Sequence, residues 1–429
     1  MIRRLAVTCG VLAVCLAPAC VQGQQARIDP APCPVQPWQE GEAAFEALPG
    51  ARAYFGRYDG GLYRVEIPED WNGDLVLYAH GFRSNGGPRG SVLGVGNSPI
   101  REHLIGGGFA WAASSYRCNG YVPGQGLEDT NALIDLFSGL NGGTPAERVY
   151  LTGTSMGGHV TLLGMHEYPE RYAGGLAMCP AGPGLFDYFA AVGAAAEVIT
   201  GVRFEPGEVG DATARMAEIL GSPPDYTTKG RQLASVEIEL SGGPRPFAME
   251  GLESRFLANI SGAALAGGTS PSNRAVDTGW FTYEIEPGLG ITAAALEERA
   301  RRKAGDPAFR GPRGPYEELR PFDGEIERPL LTMHGTGDLF VPIFLERQLK
   351  EAVTDAGRDD LLVQRIYRIA GHCRFSQEEM TRAFDDLVAW ATAGARPEGD
   401  DVSASLGNAG LEFTSPLRDG DPGTIGAAP

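Results

Sequence analysis

The chain has 429 residues and a mass of 45.4 kDa, enough for two or three domains or for one large α/β core. It carries 36 lysines and arginines against 54 aspartates and glutamates, a net charge of −18. This balance argues against nucleic acids and anionic membrane surfaces as partners, because both attract basic proteins. Hydrophobic residues make up 43% of the chain, too many for a disordered protein and enough for a sizeable core.

The amino terminus has the layout of an export signal. A basic start precedes an apolar run over residues 5–17 that is too short to span a bilayer. A small-residue cleavage site follows, so we expect residues 1–19 to be a signal peptide and the mature chain to be periplasmic or extracellular. Lipid anchoring at Cys20 is the alternative, but Ala17 occupies a position where lipoprotein signals carry a large aliphatic residue. No later stretch is apolar for long enough to predict a stable membrane span.

From Tyr54 the sequence alternates between strand and helix patterns. Short apolar runs bounded by glycine are typical of strands buried on both faces, and longer segments with a 3.6-residue period are typical of helices. The predicted strands are Leu62–Ile67, Asp74–Ala79, Gly108–Ser114, Arg148–Thr152 and Gly175–Met178, and the predicted helices are Glu128–Leu140 and Met156–Tyr168. This alternation predicts a mostly parallel, doubly wound α/β sheet, whose first part we place at residues 24–180.

The alternation stops after Pro180, and residues 181–323 have helix patterns separated by glycine and proline. We expect this segment to be a mostly helical cap inserted into the sheet, because strand patterns return after it. Residues 324–393 then form the second part of the core, and the tail at 394–429 is expected to wrap the surface. The predicted cap helices are Ala190–Thr200, Ala212–Leu220, Gly251–Ile260 and Ile291–Lys303; the later strands are Arg328–Met333 and Leu361–Ile369, followed by a helix at Ser376–Thr392.

One segment carries a nucleophile motif. The run Gly153-Thr-Ser-Met-Gly157 fits G-x-S-x-G, with a predicted buried strand before it and a predicted helix after it. So tight a turn forces the serine into a strained backbone conformation, and glycines on either side remove side chains that would clash. The turn also aims the first N–H groups of the helix at a developing oxyanion. We therefore predict that Ser155 is a nucleophile; a glycine-rich turn without chemistry is the alternative.

A serine nucleophile needs a base, and one of the six histidines has the expected position. His372 follows the last predicted strand in the loop Ala-Gly-His-Cys-Arg-Phe, although a solvent-exposed loop histidine would show the same pattern. The other five are predicted to end strands or to lie in helices: His80, His334, His103, His159 and His166.

The third partner is expected to be a carboxylate that follows the preceding strand. Asp338 lies in a glycine-rich loop at that point and would hold the tautomer of His372 and stabilise its imidazolium. A surface-turn aspartate is the alternative for Asp338, and Asp187 is then the fallback acid. The backbone N–H groups of Phe82, just past a predicted strand, and of Met156 are the candidates for an oxyanion hole.

Three of the seven cysteines belong to the signal segment or its edge at Cys20, which leaves four, an even number in a chain expected to be exported: Cys33, Cys118, Cys179 and Cys373. Two disulfides are plausible in an oxidising compartment, and spacing alone leaves three connectivities open. The expected sheet brings the loops of Cys179 and Cys373 to the same edge, which favours that pair and leaves Cys33 with Cys118. Buried free thiols are the alternative.

These segments together resemble the α/β-hydrolase superfamily, and within it the secreted bacterial esterase and prolyl-oligopeptidase-like group. The resemblance lies within residues 74–392 and includes the chain order Ser155, Asp338, His372. It implies an α/β-hydrolase fold, hydrolysis through an acyl-serine intermediate, and neither a cofactor nor a metal. The matching segments are His80-Gly-Phe82, Gly153–Gly158, Leu331–Asp338 with Val341-Pro342, and Gly371-His372.

We therefore expect a serine hydrolase that cleaves carboxylic esters, either small or polymeric. An exported peptidase or amidase with the same triad is the alternative. A non-catalytic, hydrolase-like binding protein is disfavoured, because such proteins typically lose a triad member. Aromatic residues of the expected cap are candidates for an apolar acyl pocket, with packing inside the cap as the alternative: Phe186, Tyr188, Phe189, Trp280, Phe281 and Tyr283.

Overall fold

The computed structural model describes residues 45–84, 92–205, 208–253, 255–256, 259, 274–311 and 316–414. The predicted signal peptide, Cys20 and Cys33 lie outside the described residues, as does the tail beyond residue 414. In the described part of the chain, no helix is both long and apolar enough to cross a bilayer.

An eight-stranded sheet forms the centre of the molecule. Its strands are β1 (Ala51–Tyr58), β2 (Gly61–Pro68), β3 (Asp74–Ala79), β4 (Ala110–Ser114), β5 (Arg148–Thr154), β6 (Gly174–Met178), β9 (Leu330–Gly337) and β10 (Leu362–Ala370), and a separate two-stranded pair consists of β7 (Gly221–Ser222) and β8 (Asp225–Tyr226). The order across the sheet is β1-β2-β4-β3-β5-β6-β9-β10. β2 is antiparallel to both of its neighbours, and all pairs from β4 to β10 are parallel. The predicted α/β-hydrolase fold with a mostly parallel sheet is confirmed.

Twelve α-helices whose bounds are described surround the sheet or lie in the insertion. They are α1 (Arg101–Gly106), α2 (Pro123–Asn131), α3 (Leu133–Leu140), α4 (Met156–Glu167), α5 (Leu185–Thr200), α6 (Val209–Leu220), α7 (Thr228–Leu240), α8 (Ala248–Glu253), α9 (Ala293–Arg299), α10 (Pro307–Arg310), α11 (Phe344–Asp355) and α12 (Gln377–Ala393). The helix predicted at Glu128–Leu140 is therefore two helices, and the first of them begins at a proline, whose fixed φ suits a first helical turn.

Side chains of β3 show how the sheet is covered on both faces. Leu75 and Leu77 belong to a cluster with residues of α2, α3 and α4, whereas Val76 and Tyr78 belong to a cluster with residues of α1 and α12. Alternate residues of a strand point to opposite faces, so a strand between two helical layers must be apolar throughout. This is why the central strands appear in the sequence as continuous apolar runs.

The insertion between β6 and β9 contains helices α5 to α10 and contacts the carboxyl end of the sheet. The hydroxyl of Tyr188 donates to the Leu339 carbonyl at 3.3 Å, and the Arg245 guanidinium donates to the Thr336 carbonyl at 2.6 Å. Helix α7 has no counterpart among the sequence predictions, because it buries the polar side chain of Glu237 and so lacks a clean apolar stripe.

The remaining insertion helices differ from their predicted bounds. α5 begins five residues earlier than predicted, and α9 is shorter at both ends than the predicted Ile291–Lys303. The helix predicted at Gly251–Ile260 begins at Ala248, and part of its predicted range lies outside the described residues. After α12, the tail runs along β10, where the backbone N–H of Ile366 donates to Asp400 at 2.8 Å.

Candidate active site

Ser155 occupies the turn between β5 and α4. Its backbone has φ of 60° and ψ of −118°, a left-handed region that residues other than glycine rarely adopt. The flanking glycines are required by space: a Cβ on Gly153 would overlap the Gly157 carbonyl, and a Cβ on Gly157 would overlap the Ala79 carbonyl. The turn therefore holds Ser155 in a strained conformation that its neighbours over-determine, as the sequence predicts.

Ser155, His372 and Asp338 form a continuous hydrogen-bonded chain. His372 Nε2 lies 2.8 Å from Ser155 Oγ, and His372 Nδ1 lies 2.6 Å from Asp338 Oδ2. With the ring proton on Nδ1, the imidazole donates to the carboxylate and accepts from the serine hydroxyl. The three residues follow β5, β9 and β10, whose carboxyl ends share one edge of the sheet.

Asp338 is fully buried and held as an anion. Its second oxygen accepts the N–H groups of Phe340 at 3.1 Å and Val341 at 2.9 Å, so the loop itself orients the carboxylate. Burial works against ionisation, but the charge and hydrogen bond of His372, with further contributions from His334 and the Val341 N–H, lower the pKa of Asp338. The group is thus able to stabilise a charged His372.

His334 supports this loop from behind, a role that sequence reasoning did not anticipate. The predicted strand ended at Met333, but β9 continues to Gly337 because it pairs with β10 as far as Ala370. His334 therefore lies inside the strand, with Nε2 2.9 Å from the Val341 carbonyl and Nδ1 3.4 Å from Glu346. Burial opposes its charged form, but Glu346 raises the pKa of His334.

His80-Gly81-Phe82 runs directly beside Ser155. A Cβ on Gly81 would lie 3.2 Å from the Ser155 Cβ, a tight contact, so the absence of a side chain at Gly81 favours the close approach of this backbone to the serine. His80 is buried, stacks on Tyr116 at 4.0 Å, and lies 2.7 Å from the Gly81 carbonyl through Nδ1. Burial, assisted by Arg83, lowers the pKa of His80 to about 3, so its ring is a neutral support of the loop.

The predicted Cys179–Cys373 disulfide is present, with Cα atoms 5.5 Å apart. Cys179 directly follows β6 and its N–H donates to the Met333 carbonyl at 2.6 Å, while Cys373 directly follows His372 and its sulfur lies 3.4 Å from His372 Nε2. The bond thus ties the histidine loop to the middle of the sheet. The predicted Cys33–Cys118 pair falls partly outside the described residues.

Asp187, the fallback acid, takes no part in this chain of hydrogen bonds. Its carboxylate accepts the Arg310 guanidinium at 2.6 Å, the Trp280 indole at 3.1 Å and the Asp277 backbone N–H at 2.9 Å. The structure thus brings Asp338, and not Asp187, to His372. Burial raises the pKa of Asp187 despite the neighbouring Arg310.

A row of aromatic side chains extends from the His372 ring into the core. Phe340 lies 5.3 Å from the His372 ring, Phe189 lies 5.6 Å from Phe340, and Phe186 continues the row at 6.1 Å from Phe189. Tyr121 ends it, 4.7 Å from Phe186. Phe186 and Phe189 were predicted from the sequence, whereas Phe340 and Tyr121 were not, because nothing in their local pattern separates them from core residues.

The other predicted aromatics, Trp280, Phe281, Tyr283 and Tyr188, make packing and hydrogen-bond contacts within the insertion and with the core segment that follows it. Trp280 and Phe281 stack on each other at 3.7 Å and contact Phe344 of α11. The hydroxyl of Tyr283 donates to the Ala191 carbonyl at 2.9 Å, and that of Tyr188 to the acid loop.

A cavity of about 700 Å³ lies between α4 and α11 under the insertion, and the triad residues do not line it. Among the described residues, one group of potential metal ligands has its donor atoms close together, and it consists of Cys179, His372 and Cys373. Because the disulfide joins the two sulfurs, this group offers no thiolate to a metal.

Comparison with known proteins gives distant similarities. No family model matches the chain. An o-phthalyl amidase of Xanthobacter agilis is 23% identical, over 84% of this chain and 93% of that protein. Among solved structures, an esterase of Pyrococcus furiosus is 15% identical, covers 85% of this chain and 97% of its own, and has a TM-score of 0.40. Feruloyl esterase B of Aspergillus oryzae is 12% identical, covers 83% and 90%, and has a TM-score of 0.43.

Proposed function

We propose that the protein is a serine hydrolase that cleaves carboxylic esters through an acyl-enzyme intermediate. The observation that carries the proposal is the position of the His372 imidazole, 2.8 Å from Ser155 Oγ on one side and 2.6 Å from Asp338 on the other. A base within hydrogen-bond reach of a nucleophile, itself oriented by a buried carboxylate, is the arrangement that activates a serine hydroxyl.

In this mechanism Ser155 Oγ attacks the ester carbonyl while His372 Nε2 takes the hydroxyl proton. Asp338 keeps the imidazole in the required tautomer and stabilises the imidazolium that forms. The N–H groups of Phe82 and Met156 would bind the oxyanion, since Gly81 brings the first loop against Ser155 and Met156 opens α4.

When the tetrahedral intermediate collapses, the ester C–O bond breaks and His372 gives its proton to the leaving alcohol. Water then attacks the acyl-serine, with His372 as the base that takes a proton from the water. The second collapse releases the carboxylic acid and returns the proton to Ser155. No redox partner enters these steps, and atoms balance as ester plus water giving acid plus alcohol.

Amide hydrolysis by the same triad is the second candidate. It is supported by the similarity to an amidase along most of both chains. Ester and amide hydrolysis differ in the leaving group. An amine must be protonated before it departs, whereas an oxyanion whose conjugate acid has a low pKa can depart without a proton. Rates on p-nitrophenyl esters and on the matching p-nitroanilides separate the two.

The proposal also includes export and a cap. Residues 1–19 would direct the chain out of the cytoplasm, and residues 181–323 would cover the site between the two core segments at 24–180 and 324–393. The contacts of Tyr188 with Leu339, next to Asp338, and of Arg245 with Thr336, near the end of β9, support a cap at the carboxyl edge of the sheet. The substrate would be a small or polymeric ester that enters under this cap.

The proposal is tested by kcat on p-nitrophenyl esters for the wild type, Ser155→Ala, and the matched control Ser222→Ala, whose serine is exposed on β7. We expect Ser155→Ala to lower kcat by about 10⁴-fold or more with an unchanged circular dichroism spectrum. The control should retain wild-type turnover. A folded Ser155→Ala protein with near-normal turnover would exclude the mechanism.

A further inference from the structure

An arginine of the insertion lies close to the base through a shared aromatic ring. The guanidinium carbon of Arg255 is 4.6 Å from the centre of the Phe340 ring, and that centre is 5.3 Å from the centre of the His372 ring. The cation therefore lies no further from the base than these two distances added together. Arg255 is partly exposed, so the insertion does not bury it completely.

Two other arginines of the insertion have carboxylate partners, unlike Arg255. Arg310 pairs with Asp187 and Arg301 pairs with Glu197, both within the insertion. Over the described ranges of the chain, no carboxylate lies within ion-pair distance of Arg255, and its contact is the face of Phe340. In a protein with a net charge of −18, an arginine without such a partner beside the base leaves a place for an anion from outside.

The aromatic row gives this cation an apolar setting. Phe340, Phe189, Phe186 and Tyr121 follow one another with ring centres 4.7–6.1 Å apart. At the far end of the row, the backbone N–H of Val122, next to Tyr121, contacts the sulfur of Met156 at 3.3 Å, and Met156 directly follows Ser155 in the chain. An acyl group on Ser155 that followed this row would have aromatic rings along one side and the Arg255 guanidinium beside Phe340.

We propose that Arg255 binds a carboxylate carried by the acyl part of the substrate. The substrate class is then a half-ester or half-amide of a dicarboxylic acid with a flat, apolar spacer. The planar guanidinium forms paired, charge-assisted hydrogen bonds with a carboxylate, and the aromatic wall excludes water around them. This inference rests on the proposed hydrolase function and adds the substrate class to it.

The test uses two esters of the same shape, the mono-4-nitrophenyl ester of terephthalic acid and its neutral 4-carbamoyl analogue. For the wild type we expect kcat/KM to favour the carboxylate by about 10- to 100-fold, the range of a hydrogen-bonded ion pair. This preference should weaken at high ionic strength, because salt screens partly exposed charges.

Arg255→Gln should bring the ratio of the two kcat/KM values close to one, and Arg255→Lys should retain part of the preference by its charge. The matched control is Arg215→Gln, which removes the same charge from an exposed position on α6 and should keep the wild-type ratio. Thermal melting of each variant checks that the insertion remains folded.

The outcomes separate the two proposals. Equal wild-type rates on both esters, or a preference that survives in Arg255→Gln, would overturn the role of Arg255 and leave the serine hydrolase intact. Failure of the wild type to hydrolyse either ester, together with no labelling of Ser155 by a fluorophosphonate, would instead reject the proposed function. A preference seen only when the carboxylate is on the leaving phenol would overturn the placement on the acyl group.

Discussion

The carboxyl edge of the sheet and the insertion between β6 and β9 shift the pKa values of their buried carboxyl groups in opposite directions. At the sheet edge, Asp338 lies in line with His372, and its hydrogen bonds and ion pair lower its pKa. In the insertion, Asp187 and Glu237 are buried away from Ser155, and burial raises their pKa values. The sheet edge thus favours the charged form of its carboxyl group, whereas burial in the insertion disfavours the charged form of Asp187 and Glu237.

Because of this difference, we expect the two regions to respond differently to mutation. Removing a charged group at the sheet edge should stop turnover and leave the fold, because the strands hold the site through backbone pairing. Removing one in the insertion should change the free energy of unfolding and leave the chemical step, because there the same groups hold helices together.

The largest expected effect is on turnover. His372→Ala should lower kcat on p-nitrophenyl esters by about 10⁴-fold with a melting temperature close to that of the wild type, since the imidazole is needed for proton transfer and not for packing. Activity assays and thermal melts on the same preparation measure kcat and the melting temperature. A variant that loses its fold together with its activity would contradict the expectation that a charged group at the sheet edge can be removed without unfolding the protein.

The Asp187–Arg310 pair should show the reverse. Both side chains are largely buried, at 2% and 11% exposure, so Asp187→Ala leaves an arginine without its partner and should cost about 3 kcal/mol in the free energy of unfolding. The control is Asp135→Asn, which breaks an ion pair with Arg171 whose acid is 76% exposed and should cost less than about 1 kcal/mol. Urea titrations measure both. A fall in kcat as large as that of His372→Ala would contradict this division of roles.

Reduction of the disulfide should affect both properties, because Cys373 follows the base and Cys179 directly follows a central strand. The bond closes a loop with a sequence separation of 194, and disulfides typically contribute about 2–4 kcal/mol. We expect dithiothreitol to lower the melting temperature and kcat of the wild type. The double variant Cys179→Ala/Cys373→Ala should show the same reduced values and no response to the reductant. Unchanged wild-type activity and melting after complete reduction would contradict the role of the bond.

The smallest effect is a pH dependence at Glu237. Burial raises the pKa of this carboxyl group to about 8, although hydrogen bonds from Asn259 and Tyr188 work in the other direction. A carboxyl group with a higher pKa in the folded state binds more protons there than in the unfolded chain, so stability falls as pH rises from the ordinary value of 4.5 to about 8. Glu237→Gln removes this dependence and should gain at least about 1 kcal/mol over the wild type between pH 5 and pH 9. Melting curves at the two pH values measure it, and parallel curves would reject the raised pKa.

The two regions also differ in how much of their structure can be predicted from the sequence. β3 and β6 are buried on both faces, so their composition alone marks them, and the turn at Ser155 admits little besides glycine at its flanks. His372 and Asp338 then follow from chain order. The sequence analysis missed the end of β9 because two of its last three residues, Gly335 and Gly337, are glycines, which have low strand propensity. This end of the strand is paired with β10.

The insertion gives no such local signal. Glu237 lies in the middle of α7 and finds its partners at Tyr188 and Asn259, which are distant in the chain. Arg255 and Phe340 likewise come from different segments, and their contact depends on how the insertion folds back on the acid loop. Interactions between distant polar groups leave no periodicity, so they emerge only from the structure.

The proposed function depends on Ser155 being the nucleophile of an activated triad. Labelling with a fluorophosphonate, followed by mass mapping of the adduct, tests it most directly, because the reagent reacts with serines whose hydroxyl is activated by a base. We expect one adduct, on the peptide that contains Ser155, and we expect this adduct to be absent in both Ser155→Ala and His372→Ala. An unlabelled wild type, or an adduct that persists on another residue in Ser155→Ala, would contradict it.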